Sequence, residues 1–403
     1  MSIRKREIPI IILVLWLMVW NFGITEIANY YSVNIVAWIV RILAIIYMFN
    51  EFSDKTKVKR INFLAGIIIV AFLLYYCIRT QNTRYFDTIF FLYALRKINY
   101  KYIINVVFKT QFFIVVFTVF LSFINIIPNE AVFNAGRQRY NLGYIYCSYA
   151  ANMFFFTVAH YFAGRKRTDK FNWWLVAVFL GINQIIFYYS DTKASYWGTL
   201  LLILFEIIAS RFPISTKRHR IGELMSACIF PGFALLSVIA GLVYNPNNAV
   251  FSLLNTISSG RIYMVYLGLQ RYGIKLLGSD LTWSTDHTSE YLYVDSSYVN
   301  ILLTLGLIFL VLICLGFARV AVKSVRNKDL YLTIALLFVA IHCFTDPQLL
   351  DLRYNGFILL CVNAMVYGEA FNEAFNEALQ NDMDSGGNAY EFKHNIEDYR
   401  RTT

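Results

Sequence analysis

The chain has 403 residues, 58% of them hydrophobic and only 15% charged, with a mean hydropathy of +0.52. That balance excludes an ordinary soluble domain. The net charge of +11 does not call for nucleic acid as a partner, because basic loops beside anionic lipid headgroups account for it.

Membrane-length apolar runs recur from end to end and predict spans at 8–24, 33–50, 61–78, 85–95, 111–127, 142–163, 173–189, 194–209, 226–243, 298–317, 330–344 and 355–367. A run in lipid must satisfy its own backbone, and these lack the alternation of a barrel strand. The predicted fold is therefore an all-α polytopic membrane protein of about 12 transmembrane helices.

Arg4, Lys5 and Arg6 precede the first run, and no small-residue cleavage site follows, so this is a first span and not a removed signal. Arg41 lies deep in the second run, where a charge is costly; its expected partner is Asp87 or Glu206. The run 85–95 is short and contains Asp87, yet charge distribution argues that it crosses. With twelve crossings and both termini in the cytoplasm, most of the 36 Lys and Arg fall on the cytoplasmic side. Without that crossing, most later basic loops would face outward. His160 and His342 sit in apolar runs and read as packed core residues. The six cysteines lie in or beside apolar runs, without metal-ligand spacing, and no metal or other cofactor is expected.

Residues 1–367 read as one membrane domain. The longest polar interruption, about 244–297, forms a large extracytoplasmic loop between spans nine and ten. The cytoplasmic tail, 368–403, opens with the repeat Glu369-Ala370-Phe371-Asn372, Glu373-Ala374-Phe375-Asn376, which stacks Phe371 and Phe375 on one helical face. From Asn381 onward the tail reads as disordered.

Despite the bias against cations outside, the predicted outer loops carry polar clusters. Arg137 and Arg139 precede span six, and Asp191 and Lys193 precede span eight. The large loop holds Arg261, Arg271, Lys275, Asp280, Asp286, His287, Glu290 and Asp295, and the last outer loop holds Asp346, Asp351 and Arg353. The planar fork of Arg suits phosphate, and two cations facing a diphosphate stabilise it as a leaving group. A carboxylate or His beside them can accept a proton from an attacking hydroxyl.

Three segments carry a resemblance to a known family: Thr192-Lys193-Ala194-Ser195 opening a span; Ser259-Gly260-Arg261 with the stretch ending Leu276-Leu277-Gly278-Ser279; and Asp295-Ser296-Ser297-Tyr298-Val299 followed by Leu302-Leu303 and Gly306. Arg139-Tyr140-Asn141-Leu142-Gly143-Tyr144 adds to it. In order and placement these resemble the Wzy-type polysaccharide polymerases and the related O-antigen ligases. The resemblance implies a metal-independent glycosyltransferase of the multispan GT-C type. It would move a growing glycan from undecaprenyl diphosphate to a sugar hydroxyl of a new lipid-linked repeat unit at the outer face. A chain-length regulator and a flippase are the implied partner proteins. Family roles place Arg261 and Lys193 on the diphosphate and Asp295 at the base position, where His287 and Asp346 are its rivals. The other outer cations, Arg137, Arg139, Arg271 and Arg353, complete the candidate substrate-binding set. Lys193 stands where the family commonly has Arg, and Asp295 where ligases have His, which favours polymerase over ligase. A ligase and a twelve-span lipid-linked glycan flippase or secondary transporter are the alternatives.

Overall fold

The computed structural model describes residues 7–53, 74–78, 83–96, 98–134, 137–166, 169–211, 220–281, 283–284 and 291–365. Most of the predicted span 61–78, the candidate base His287 and the tail 368–403 lie outside these residues.

The described chain is mainly helical. In order it forms α1 (Ile8–Phe22), α2 (Val33–Ser53), α3 (Arg84–Ala94), α4 (Tyr100–Phe123), α5 (Tyr149–Gly164), α6 (Trp173–Ser190) and α7 (Lys193–Arg211). It continues with α8 (Arg220–Leu242), α9 (Ala249–Ile257), α10 (Arg261–Tyr272), α11 (Ser297–Thr304), α12 (Leu307–Arg326), α13 (Leu330–Thr345) and α14 (Leu360–Met365). Five of these, α4, α6, α7, α8 and α12, are long and apolar enough to cross a membrane. The exposed faces are themselves apolar: Ile35, Trp38, Ile39, Ile42 and Ile46 stand out from α2. Such a surface suits lipid and not water.

The structure departs from the predicted elements where the backbone turns. The run 298–317 is two helices, because Gly306 adopts φ +94° between α11 and α12. A Cβ there would strike the carbonyl of Leu276. The segment 275–279 is laced into this break: Ser279 N–H donates to Leu303 O at 2.7 Å and Leu307 N–H to Lys275 O at 2.9 Å. The loop 244–297 is therefore no free excursion. It contains α9 and α10, and α10 packs on α8 where Gly241 admits Val265 and Leu269. An antiparallel hairpin, Ala131–Asn134 with Arg137–Tyr140, adds a small sheet that the all-α expectation lacks. At 11 residues, α3 is about 16 Å long, roughly half the thickness of the lipid core.

The core centres on α5, buried from Ala150 through Gly164. A helix buried all round sits inside the bundle. Its polar residues Asn152, Thr157 and His160 therefore face protein. His160 is a structural residue: its Nδ1 pairs with Gln111 Oε1 at 2.9 Å and its Nε2 accepts from Gly356 N–H at 3.0 Å. His342 stacks on Phe155 with ring centroids 4.3 Å apart. Arg41 meets Asp87 through two hydrogen bonds of 2.8 Å, and Trp16 Nε1 donates to the same carboxylate at 3.0 Å. The intramembrane arginine thus has a structural partner, one of the two its sequence position suggested.

Polar clusters mark the two ends of the bundle. At one end Lys101 Nζ, at the start of α4, donates to Ala163 O and Arg165 O at the end of α5 and pairs with Asp329 at 2.5 Å. Arg326 of α12 meets Glu223 of α8 there at 2.9 Å. Asp295, Asp346 and Arg353 belong to the opposite end.

Candidate functional site

Six pieces of chain meet at that end: α1, α3, the start of α5, the segment 291–295, α11 and the loop 346–354. They enclose a cavity of about 690 Å³. Its charged lining is Arg84, Asp295, Asp346, Asp351 and Arg353, set among Tyr85, Tyr146, Tyr149, Tyr291, Tyr293 and Tyr354. The size is that of a ligand pocket, and the ring of phenols presents both apolar faces and hydroxyls.

The loop 346–354 is held in place by buried polar groups. Ser297 Oγ donates to Asp346 O at 2.5 Å and accepts from Leu349 N–H at 3.1 Å. Gln111 Nε2 donates to Arg353 O and Tyr354 O at 2.7 and 2.9 Å, and Asn355 Nδ2 to Leu349 O at 2.8 Å. These bonds fix both carboxylates of the loop relative to α11 and α4.

Arg261 ties the large loop to this site. It is the first residue of α10, after Gly260 at φ +84°. A cation there opposes the helix dipole, so local helix energetics do not explain it. Its Nε lies 3.4 Å from Asp295 Oδ2 and its Nη2 3.9 Å from Asp346 Oδ2. The Nε is buried and meets Asp295 as an ion pair, without hydrogen-bond geometry. The two carboxylates line the cavity, whereas Arg261 is absent from its lining and bridges them from beside it.

A third contact holds Asp346. Asn152 Nδ2 of α5 donates to Asp346 Oδ1 at 3.4 Å, and Ser195 Oγ of α7 donates to Asn152 Oδ1. The segment Thr192–Ser195 thus reaches the site through its serine.

Burial pushes the Asp295 carboxyl up to about 6; Arg261 pulls it down and the charge of Asp346 pushes it up, but burial prevails. Asp346 is likewise raised by burial, against Arg261, Thr345 and Asn152. Two raised carboxylates on one arginine titrate as a coupled pair.

The stretch of lining formed by Arg84, Asp351 and Arg353 behaves differently. Arg353 Nε donates to both oxygens of Asp351, at 2.9 and 3.0 Å, its Nη2 pairs with Oδ2, and its backbone N–H donates to Oδ1 at 3.0 Å. Arg84 Nη1 stands 3.7 Å from the same carboxylate. Burial would raise Asp351, but Arg353 and Arg84 win and hold it at about 2.

The structure brings together Arg261, Asp295, Asp346 and Arg353 from the predicted candidates. Among the described residues, Lys193, Arg137, Arg139 and Arg271 do not line the cavity. Lys193 is exposed at the first turn of α7 and does not line it. Arg137 pairs with Asp191 at 2.9 Å, and Arg139 donates to Ser190 O and Thr192 Oγ1 at 2.7 and 3.0 Å. Both staple the hairpin to the turn between α6 and α7. Arg271 lies exposed in the last turn of α10 beside the Tyr272 ring, where a cation complements the helix dipole. Arg84, Asn152 and Asp351 are site residues the candidate set lacks. Arg84 stands just before the short run 85–95, and Asn152 inside the run 142–163; an Asn in such a run is the available signal.

Comparison of the chain with family models, with curated proteins and with solved structures returns no match.

Proposed function

We propose that this protein is a polysaccharide polymerase. In this reading the chain crosses the cell membrane twelve times with both termini in the cytoplasm, and the cavity opens at the extracytoplasmic face. It transfers a growing glycan from undecaprenyl diphosphate to the sugar hydroxyl of a new lipid-linked repeat unit. The observation that carries the reading is the Asp295–Arg261–Asp346 bridge beside a phenol-lined cavity whose Arg84–Asp351–Arg353 wall is net cationic.

Each part has a chemical task. Tyrosines around a polar cavity stack on sugar rings and exchange hydrogen bonds with their hydroxyls. Asp295, ionised above about pH 6, accepts the proton of the attacking hydroxyl. That oxygen bonds to the anomeric carbon of the donor glycan as the bond to the diphosphate oxygen breaks. Undecaprenyl diphosphate leaves, its charge met by the cationic wall. Arg261 keeps two mutually repelling carboxylates within reach of each other, and Asn152 orients Asp346. The charge asymmetry of the two bundle ends supports the orientation, since the Lys101, Arg165 and Arg326 end is the one expected in the cytoplasm.

The lipid-linked intermediate in a strain lacking this protein tests the reading. A polymerase defect leaves single repeat units at the outer face of the membrane. Single units retained at the inner face would identify a flippase instead, and long chains still on the lipid carrier a ligase.

A further inference from the structure

Helix α9 buries none of its nine residues. Its Val250, Leu253, Leu254 and Ile257 recur at the i, i+3, i+4, i+7 spacing of one helical face, and each is between 43% and 72% exposed. We propose that α9 is an in-plane membrane helix, with this face seated in the acyl boundary of the leaflet at the cavity end of the bundle. The proposal goes beyond the polymerase reading and needs only that α8 crosses the membrane.

Three faces of α9 meet three surroundings. Phe251 and Asn255, about one turn apart, turn to the protein. The Phe251 ring stands 5.8 Å from that of Tyr244, and Asn255 Oδ1 accepts from Tyr263 N–H at 3.0 Å. Ser252 and Thr256, again one turn apart, are exposed and polar, which suits water. The four apolar side chains make the remaining face. A division into protein, water and apolar sides is what a helix lying along a bilayer surface requires.

Lipid is the occupant because the face continues a lipid-facing surface. α8 is long and apolar enough to cross a membrane, and Leu235, Leu236, Ile239, Leu242 and Val243 stand exposed along its second half and just beyond it. That half belongs to the cavity end of the bundle: Ser296 Oγ, next to Asp295, donates to Ser237 Oγ at 3.2 Å. Tyr244 follows Val243 directly and packs on Phe251, so α9 lies beside the end of α8. Tyr244 also packs on Tyr263 and Tyr266, with ring centroids 5.9 and 5.4 Å away, and tyrosines are enriched at the membrane–water boundary. The contact matters to the site, because α9 is tied to the start of α10. Gly260 N–H donates to Asn255 O at 2.8 Å, and Arg261 comes next. The depth of α9 thus sets the depth of Arg261, at the level of lipid headgroups.

Full-length protein carrying Cys228→Ser, which removes the exposed native thiol, is the parent for the test. Ser252→Cys, Leu253→Cys, Thr256→Cys and Ile257→Cys are each added to it and labelled with bimane. Each protein is reconstituted in nanodiscs of phosphatidylcholine with plain or dibrominated acyl chains, and emission from the labelled parent is subtracted. Bromine should lower the emission of Leu253→Cys and Ile257→Cys about twofold or more and leave Ser252→Cys and Thr256→Cys nearly unchanged. All four positions are exposed, so the substitutions leave the packed core intact. Equal emission from Leu253→Cys and Ile257→Cys in both lipids, or equal quenching at all four positions, overturns the proposal. Protection of Leu253→Cys from a water-soluble maleimide without quenching by bromine gives the face to a second copy of the chain or another protein, and overturns it too. Quenching does not depend on turnover, so the two claims separate. The expected pattern in a protein that makes no polymer from lipid-linked repeat units upholds the membrane helix and refutes the polymerase. Polymer without the pattern refutes the membrane helix alone.

Discussion

Arg261 opens one helix and Asp295 closes the extended segment leading into another, yet their charged groups stand 3.4 Å apart beside a cavity that Asp295 lines. The pairing makes the large loop between α8 and α11 part of the site. It also sets what each side chain can do. The arginine serves two carboxylates at once, so removing it changes both.

Arg261→Ala should abolish polymer, with a loss of 100-fold or more on the order of other electrostatic catalytic contacts. Asp295 and Asp346 would then face each other without their shared cation and hold a proton to higher pH. Protein level and membrane insertion should persist, since the arginine is at a helix end and not in the packed core. Immunoblots of membrane fractions beside polymer gels check this; polymer of normal length in the variant contradicts it.

Replacing Asp295 with Asn should cost activity and gain stability. Its folded-state value of about 6 lies above the ordinary 3.8, so ionising it above pH 6 costs the native state stability that is intact below pH 4. The gain at neutral pH is at most ~3 kcal/mol, less solvent screening of a side chain that is 31% exposed. Thermal melts in detergent should show a raised Tm for Asp295→Asn at pH 7.5 and no difference from wild type at pH 4.

The same ionisation governs rate. Polymerisation should fall as pH drops below about 6, because a protonated Asp295 cannot take up the proton of the hydroxyl. In Asn152→Ala the ionised pair loses the amide that donates to Asp346, so the acid limb should move up by about half a pH unit or more. A pH–rate profile of both proteins distinguishes this from a loss of folded enzyme, which would lower the plateau without moving the limb.

The remaining predicted cations should separate by what they touch. Lys193→Ala should leave activity within about twofold, as expected of an exposed side chain away from such features. Arg139→Ala should lower Tm, because Ser190 O and Thr192 lose a donor at the turn between α6 and α7. Activity per folded molecule and thermal melts, measured side by side, check both.

These contrasts show what could be read from the chain alone. Apolar length announces a membrane helix through composition, and the cost of an intramembrane charge leads from Arg41 to a nearby carboxylate such as Asp87. Ser259-Gly260-Arg261 and Asp295-Ser296-Ser297 could be singled out because their order and placement resemble segments of the Wzy-type polymerases. Other parts depend on tertiary contact. The break at Gly306 exists because the 275–279 segment lies against it, and hydropathy does not register a backbone crossing. Arg84, Asn152 and Asp351 come from segments far apart in sequence. Their roles follow from which helices pack together, so no local pattern distinguishes Arg84 from Arg137. Lys193 shows the converse: its segment reaches the site, but through Ser195 on the inward face of the same helical turn.

The central claim is tested most directly by incubating the purified protein with a defined undecaprenyl-diphosphate-linked repeat unit and resolving the products on a gel. Wild type should build a ladder of regularly spaced polymers without added nucleotide sugar, and Asp295→Asn should leave the single unit unchanged. A wild-type lane showing only that starting unit, or an equal ladder from Asp295→Asn, would contradict the account.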